Sequence, residues 1–124
     1  MDKSIITIKQ AHSIENVISK SRFIAYIKPV STENEAKAFI DEIKTKHKDA
    51  THNCSAYTVG PEMNIQKAND DGEPSGTAGI PMLEILKKQE IHNVCVVVTR
   101  YFGGIKLGAG GLIRAYSGAV RDVI

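Results

Sequence analysis

The pattern of apolar and polar residues in the first half of the chain predicts strands followed by a helix. Alternation in residues 13–20 and 22–27 predicts two antiparallel strands, and residues 5–8 are compatible with a short strand before them. A capping box at residues 32–35, followed by apolar residues at helical spacing, predicts a first helix over about residues 33–48. The N-terminal part is therefore expected to be an antiparallel meander that leads into a helix.

The second half is typical of a strand, a loop, a helix, a strand and a helix. Residues 52–59 predict a strand, the turn-forming residues 69–79 predict a long loop, and residues 81–89 predict a helix with proline in its first turn. The almost unbroken apolar run of residues 94–101 indicates a central strand covered on both faces. A third helix is expected over residues 112–124, and because no capping glycine or proline follows it, we expect the natural chain to continue.

Length and composition indicate one cytoplasmic domain. With 42% hydrophobic residues, residues 1–124 can build a single core without disulfides or metal. The two cysteines, Cys54 and Cys95, do not make a disulfide framework and fit a reducing cytoplasm. No signal peptide begins the chain and no run of about 18 apolar residues occurs, so a membrane is not an expected partner. The net charge of +2 does not by itself indicate nucleic acid, so any basic surface requires local clustering.

Such a cluster lies between Val94 and Tyr116, where the predicted central strand gives way to a glycine-rich segment, residues 103–111, which we call the glycine loop. Five of the ten glycines fall within nine residues: Gly103, Gly104, Gly108, Gly110 and Gly111. The charged residues between Val97 and Arg121 are all cations: Arg100, Lys106, Arg114 and Arg121. We expect an anion, or a polar pocket suited to one, against the backbone N–H groups of residues 103–111.

The glycine loop also has a purely structural interpretation, in which the glycines serve only a tight crossing from strand to helix. It matches neither the dinucleotide fingerprint nor the Walker A motif. Instead, the cations can hold a phosphate while the neighbouring rings of Tyr101 and Phe102 stack on a base, which favours nucleic acid. Arg100 and Arg114 are then expected to be exposed, so that their removal would change stability little. Arg114 and Arg121, seven residues apart, should project from one helix face.

The turn-rich run Asp70 to Thr77, which we call the second loop, is the other candidate for the site. Its residues are Asp70, Asp71, Gly72, Glu73, Pro74, Ser75, Gly76 and Thr77. The carboxylates could bind a divalent cation, but an acidic turn that caps the second helix is favoured. His52 with Cys54, and His92 with Cys95, lack the usual zinc spacing. As a nucleophile and its base, His52 and Cys54 lack an evident orienting acid. We predict no metal and no cofactor, and we assign no catalytic residue.

Four stretches together resemble the Impact/YigZ family. They are residues 21–25, 52–57, 70–81 and 96–116, and the last contains the specific run Arg-Tyr-Phe-Gly-Gly-x-Lys-Leu-Gly-x-Gly-Gly-Leu-x-Arg-Ala-Tyr. The resemblance implies a domain with the fold of the second domain of ribosomal small-subunit protein five, also seen in domain four of elongation factor G. It also implies a C-terminal ferredoxin-like domain, which is absent from this sequence.

The resemblance further implies a connection with translation. Eukaryotic Impact proteins restrain the starvation-responsive kinase of translation initiation by competing for its activator, and they use an additional N-terminal domain that this sequence lacks. Bacterial members have no settled activity. Their fold kinship suggests binding to RNA or to the translation machinery.

These expectations combine into one hypothesis for fold and function. We predict an α+β, two-layer α/β sandwich with a mixed, mostly antiparallel sheet, in which the glycine loop and the second loop form one site. The leading function is non-enzymatic binding of nucleic acid or the ribosome in regulation of translation. The alternatives are an enzyme acting on a phosphorylated small molecule and a protein-binding regulator. RNA, the ribosome or translation factors are the expected partners, and no oligomeric state is predicted. The predicted ligand-binding residues are the second loop together with Arg100, Tyr101, Phe102, Gly103, Gly104, Lys106, Gly108, Gly110, Gly111 and Arg114.

Overall fold

Five strands and three helices make up the described part of the chain, residues 8–124 of the computed structural model. The strands are β1 (His12–Ile18), β2 (Ser21–Pro29), β3 (His52–Val59), β4 (Ile65–Asn69) and β5 (Val94–Tyr101), and the helices are α1 (Glu33–Lys46), α2 (Gly79–Lys88) and α3 (Gly108–Val123). One sheet has the order β1-β2-β5-β3-β4, and its four pairings are antiparallel. The short strand expected at residues 5–8 lies outside the described residues, except for Ile8, which is in no element.

The central strand β5 alternates between two apolar cores. Val94, Val96 and Val98 pack with α2 and α3, whereas Cys95 and Val97 pack with α1 on the opposite face of the sheet. All five side chains are buried. The α+β class and the central position of this strand are confirmed. The described sheet is entirely antiparallel rather than mixed. Because both faces of β5 are apolar, α1 covers the second face and adds a third layer to the predicted two.

The hairpin of β1 and β2 turns at Ser19 and Lys20, whose φ angles are 48° and 66°. Two successive residues in left-handed backbone make a type I′ turn, which matches the twist of the flanking strands. The predicted hairpin is confirmed. Its turn lies against the glycine loop so closely that a Cβ on Gly103 would be 2.0 Å from the Lys20 carbonyl oxygen.

The first two helices start at side-chain caps. The Thr32 hydroxyl accepts a hydrogen bond from the Glu35 N–H at 3.1 Å, as the capping box predicts. α1 ends two residues earlier than expected, where His47 leaves the helical conformation and its ring bonds to two tyrosine hydroxyls. At the start of α2, Asp70 Oδ1 accepts from the N–H groups of Ala78 at 3.1 Å and Gly79 at 2.8 Å. The acidic turn therefore caps α2, as the favoured interpretation holds.

Two elements differ from the prediction. The sequence indicates irregular structure after Gly60, but β4 (Ile65–Asn69) lies there and pairs with β3. This edge strand has only two apolar residues. A polar edge strand is less prone to pair with the edge of another chain. α3 begins at Gly108, inside the glycine run, so that Gly110 and Gly111 belong to its first turn. None of the helices in residues 8–124 is both long enough and apolar enough to cross a membrane.

Gly103→Ala should destabilise the protein, because the new methyl group would overlap the backbone at Lys20. We expect the free energy of unfolding to fall by about 2–3 kcal/mol, measured by urea denaturation with circular dichroism. Gly110→Ala is the matched control, since its methyl group meets only the end of the Arg114 side chain and alanine favours helix. Equal effects of the two substitutions would contradict this account of the turn.

Candidate functional site

A cleft of about 400 Å³ opens at the end of β5, between the start of α3 and the second loop. We call it the cleft. The structure brings both predicted loops to its walls. Its lining residues are Thr51, His52, Glu73, Pro74, Arg100, Phe102, Lys106, Leu107, Gly108, Ala109 and Leu112.

Arg100 is buried in the floor of the cleft, so the expectation that it is exposed is wrong. Alternate residues of β5 face α2 and α3, and Arg100 continues that inward series; its side chain is 6% exposed. The guanidinium lies between the rings of Phe23 and Phe102, 5.5 and 5.3 Å from their centroids. Nη1 donates to both carboxylate oxygens of Glu73, at 3.2 and 2.9 Å. Nε and Nη2 lie 3.3 Å from Ser21 Oγ, so this cation is structurally paired.

Glu73 is the centre of a buried polar cluster in the floor. Its Oε2 accepts from the Tyr116 hydroxyl at 2.5 Å, and its Oε1 lies 3.3 Å from His52 Nε2. The other ring nitrogen of His52 is 2.9 Å from the Asp71 carbonyl oxygen, so both nitrogens face acceptors. Burial, and then the neighbouring Cys54 and Glu73, raise the pKa of Tyr116, so its hydroxyl stays protonated and donates. The polar groups of the floor therefore already have hydrogen-bond or ion-pair partners within the protein.

The two cysteines are buried thiols rather than nucleophiles. Cys54 Sγ donates to the Asp70 carbonyl oxygen at 3.1 Å, and burial raises the pKa of Cys54 far above its ordinary value. Burial also raises the pKa of Cys95 to about 12. Neither is a thiolate near neutral pH, which argues against Cys–His chemistry. Among residues 8–124, no three His, Cys, Asp or Glu side chains form a group that could hold a metal ion.

The other acids of the second loop bind backbone. Asp70 Oδ2 accepts from the Gly76 N–H at 2.9 Å, in addition to the Oδ1 contacts at the start of α2. Burial opposes ionisation of Asp70, but the hydrogen bonds from three backbone N–H groups outweigh it and lower its pKa. Asp71 Oδ2 accepts from the Asn53 N–H at 2.7 Å. These contacts hold the second loop against β3 and α2.

The lip of the cleft, formed by the glycine loop, differs from this paired floor. Phe102 is 46% exposed, and Lys106 is exposed beside it. In the described part of the chain, the backbone N–H groups of residues 104–107 have no intramolecular acceptor. α3 also lacks a side-chain cap, and the first N–H groups of a helix have no partner within it. Unpaired donors and a cation thus lie next to an exposed aromatic ring.

The glycines of the loop have separate local reasons. Gly103 permits the close approach to the hairpin turn, and Gly104 and Gly108 have positive φ angles of 90° and 76°. The structural interpretation therefore explains part of the glycine content. Gly110 leaves space for Arg114, whose Nη1 would lie 3.3 Å from an added Cβ.

A smaller groove of about 300 Å³ lies on the other side of the loop from the cleft. We call it the side groove. Lys106 and Leu107 border both the cleft and the side groove, and Arg114 lines the side groove. The two concave surfaces are therefore adjacent, with Lys106 between them.

Other predicted residues lie away from the cleft. Tyr101 is on the α1 face of the sheet, where its hydroxyl lies 2.7 Å from His47 Nδ1 and donates to Asp49 at 3.1 Å. The Thr77 hydroxyl donates to the Pro74 carbonyl oxygen, 2.5 Å away, inside the second loop. Arg121 is exposed near the end of α3.

Sequence reasoning missed five lining residues: Thr51, His52, Leu107, Ala109 and Leu112. The sequence suggests His52 as a metal ligand or the partner of a nucleophile, and as part of the stretch 52–57, but gives it no place in the predicted site. Its place in the floor comes from strand pairing, because it lies opposite Arg100 in the β3–β5 register. No local signal in the sequence shows that pairing.

The four stretches that carry the resemblance converge on the floor, to which each contributes at least one polar residue: Ser21, His52, Glu73, Arg100 and Tyr116. Residues 19–124 match the family described as the Impact N-terminal domain. The chain belongs to the Impact family. This Impact domain is 64% identical to the Impact family member YvyE of Bacillus subtilis, with 96% of this chain and 55% of YvyE covered. It is 43% identical to YigZ of Escherichia coli, with coverage of 86% and 53%. The chain thus spans about half the length of these relatives.

Solved structures also resemble this Impact domain. A crystal structure of a hypothetical protein matches with a TM-score of 0.91 and 39% identity, covering 94% of this chain and 58% of that one. The two-domain translational regulator Yih1 matches with a TM-score of 0.59 and 28% identity, covering 99% of this chain and 52% of that one. The family predicted from the four stretches is confirmed.

Arg100→Ala should destabilise the Impact domain by about 3–5 kcal/mol, because it leaves the Glu73 carboxylate buried without its cation. Urea denaturation of the variant measures this loss. The double variant Arg100→Met with Glu73→Gln is the control, since it removes both charges and should recover part of the stability. An Arg100→Ala variant as stable as the original chain would show that the pair is not important for folding.

Asp70→Asn should lower stability by about 1–2 kcal/mol at neutral pH, because the amide nitrogen cannot accept the backbone hydrogen bonds. The folded-state pKa of Asp70 lies below its unfolded value, about 3.9, so its contribution is present above that pH and is lost as pH falls through the folded value. The melting temperatures of the variant and the original chain should therefore converge in acid. Asp41→Asn, at an exposed position of α1, is the control. A constant difference in melting temperature at every pH would exclude this role.

Proposed function

We propose that the Impact domain binds single-stranded RNA in the cleft, without chemical change to the RNA, as part of the regulation of translation. The observation that carries the proposal is the contrast between floor and lip. Polar groups of the floor satisfy one another, whereas the lip has a lysine, an exposed aromatic ring and backbone N–H groups that find no acceptor within residues 8–124. The lip is the part that can bind, and the groups there suit a phosphate and a base.

Two adjoining concave surfaces suit an extended single strand of RNA rather than a single small anion. Lys106 borders both the cleft and the side groove, and Arg114 lines the side groove. Cations placed in this way can contact successive phosphates of one strand, with a positive helix N-terminus beside them. Because Arg100 already forms an ion pair with Glu73, Lys106 and Arg114 are the cations expected to contact phosphates.

Phe102 supplies a surface for stacking. One contact of its ring is the Arg100 guanidinium, which holds the ring in place, and 46% of the residue stays exposed. Stacking on an aromatic ring is open to any base, but the base must be free of a duplex. We therefore favour single-stranded over double-stranded RNA.

An enzyme acting on a phosphorylated small molecule is less well supported by the same cleft. General acid–base chemistry needs a titratable group that can reach the substrate. At this floor, both oxygens of Glu73 and both nitrogens of His52 are already within hydrogen-bond distance of protein groups. Binding without catalysis therefore fits the geometry better.

The relatives support the context of translation. Yih1, which shares this fold, is described as a translational regulator, and a yeast Impact homologue is 38% identical over 71% of this chain. An RNA-binding domain is a suitable part of such a regulator.

Lys106→Ala should weaken binding of mixed-sequence single-stranded RNA similarly for all sequences and reduce the slope of log affinity against log salt by about 0.7. Phe102→Ala should weaken binding by about 1–3 kcal/mol with little change in that slope. Fluorescence anisotropy over a salt series measures both effects.

Lys37→Ala is the matched control, because Lys37 is an exposed lysine of α1, on the opposite face of the sheet. Melting temperatures show whether each variant is folded. Unchanged affinity in folded Lys106→Ala and Phe102→Ala variants would exclude the cleft as the RNA site, and cleavage or modification of the RNA by the original chain would show that the cleft does chemistry.

A further inference from the structure

Another concave surface lies between α2 and α3, apart from the cleft and the side groove. It is a groove of about 660 Å³, which we call the helix groove. Two large apolar side chains border it while exposed to solvent, Ile80 at 50% and Ile113 at 41%. Pro81 and Ile85 form its apolar base, and Ser117 leaves space on the α3 side. An exposed apolar groove with a charged margin is typical of an interaction site.

The charges around the helix groove are mainly positive. Lys87 and Lys88 line it at the end of α2, and Glu84 is the single acid among its lining residues. Glu84 is 3.5 Å from Lys87, which leaves Lys88 without an acid in the groove. Helical spacing places Arg121 one turn beyond Ser117 on the same side of α3. The groove therefore offers apolar contacts flanked by an excess of cations.

We propose that the helix groove binds an acidic amphipathic helix of a partner protein. Ile80 and Lys87 are seven residues apart on α2, a rise of about 10 Å, which equals two turns of a docked helix. A helix that lies in a groove places apolar anchors at i, i+3 or i+4, and i+7, and these match Ile80, Ile85 and Ile113 in number and chemistry. Glutamates beside the anchors complement Lys87 and Lys88.

The apolar residues favour a protein over RNA at this surface. Bases bind to aromatic rings by stacking, and the lining residues of the helix groove include no aromatic side chain. The branched side chains of isoleucine instead pack against other aliphatic groups. The RNA proposed for the cleft and the helix proposed here occupy different surfaces, so one can be disproved without the other.

The test uses a synthetic helical peptide with leucines at i, i+4 and i+7 and glutamates beside them, titrated into the isotope-labelled chain. The expected result is a set of amide shifts confined to the outer faces of α2 and α3. Ile113→Ser should weaken the peptide affinity about tenfold, which is the effect of losing one apolar anchor. Val17→Ser is the control, because Val17 is 65% exposed on β1 and away from the groove.

Charge reversal gives a second, independent measurement. The double variant Lys87→Glu with Lys88→Glu should weaken the acidic peptide about tenfold and gain affinity for a matched peptide with lysines in place of glutamates. Lys106→Ala should leave peptide binding unchanged while it weakens RNA binding.

Three results would overturn the proposal. Shifts that map outside α2 and α3, or equal binding of the two peptides by the original chain, would exclude an acidic helix. Single-stranded RNA that shifts the same amides, and loses affinity in the charge-reversed variant, would make the helix groove an RNA site. A dimer in sedimentation that Ile113→Ser dissociates would make a second copy of the chain the occupant.

Discussion

The buried ion pair of Arg100 and Glu73 is the contact on which the site depends. It joins the end of the central strand to a loop 27 residues away in sequence. The same carboxylate also binds Tyr116 of α3 and lies against His52 of β3, so one side chain connects four parts of the fold. Burying both charges is costly, and only the full set of partners offsets the cost. The cleft is therefore a consequence of core packing and not an addition to it.

Most of the fold could be predicted from local sequence patterns. The alternation of β1 and β2, the apolar run of β5 and the capping box of α1 are signals contained in short segments, and each predicted the right element. β4 was not predicted from local patterns, because an edge strand needs few apolar residues. The early end of α1 also has a non-local cause, since the side chain of His47 reaches tyrosines on two strands.

The site could be predicted only in part. The glycine run and the turn-rich second loop showed which segments meet, but not the role of each residue within them. A charged residue at a strand end predicts an exposed side chain, although the inward alternation of β5 places Arg100 with the buried valines. Its partner could not be found from spacing, because Glu73 comes from a loop whose path depends on Asp70 and Asp71. The proposed kinship with a ribosomal-protein fold stays a prediction.

The attachment of Gly103 has a further consequence for how ligands are received. Its backbone packs on the hairpin turn, and its N–H lies 3.2 Å from the Ser21 hydroxyl that also contacts Arg100. The start of the glycine loop is thus anchored to β2 before any ligand arrives, and so little conformational entropy remains to be lost there on association. Selectivity among ligands then depends on how well each ligand matches a preorganised surface. This end of the loop does not need to close over the ligand to complete the binding surface.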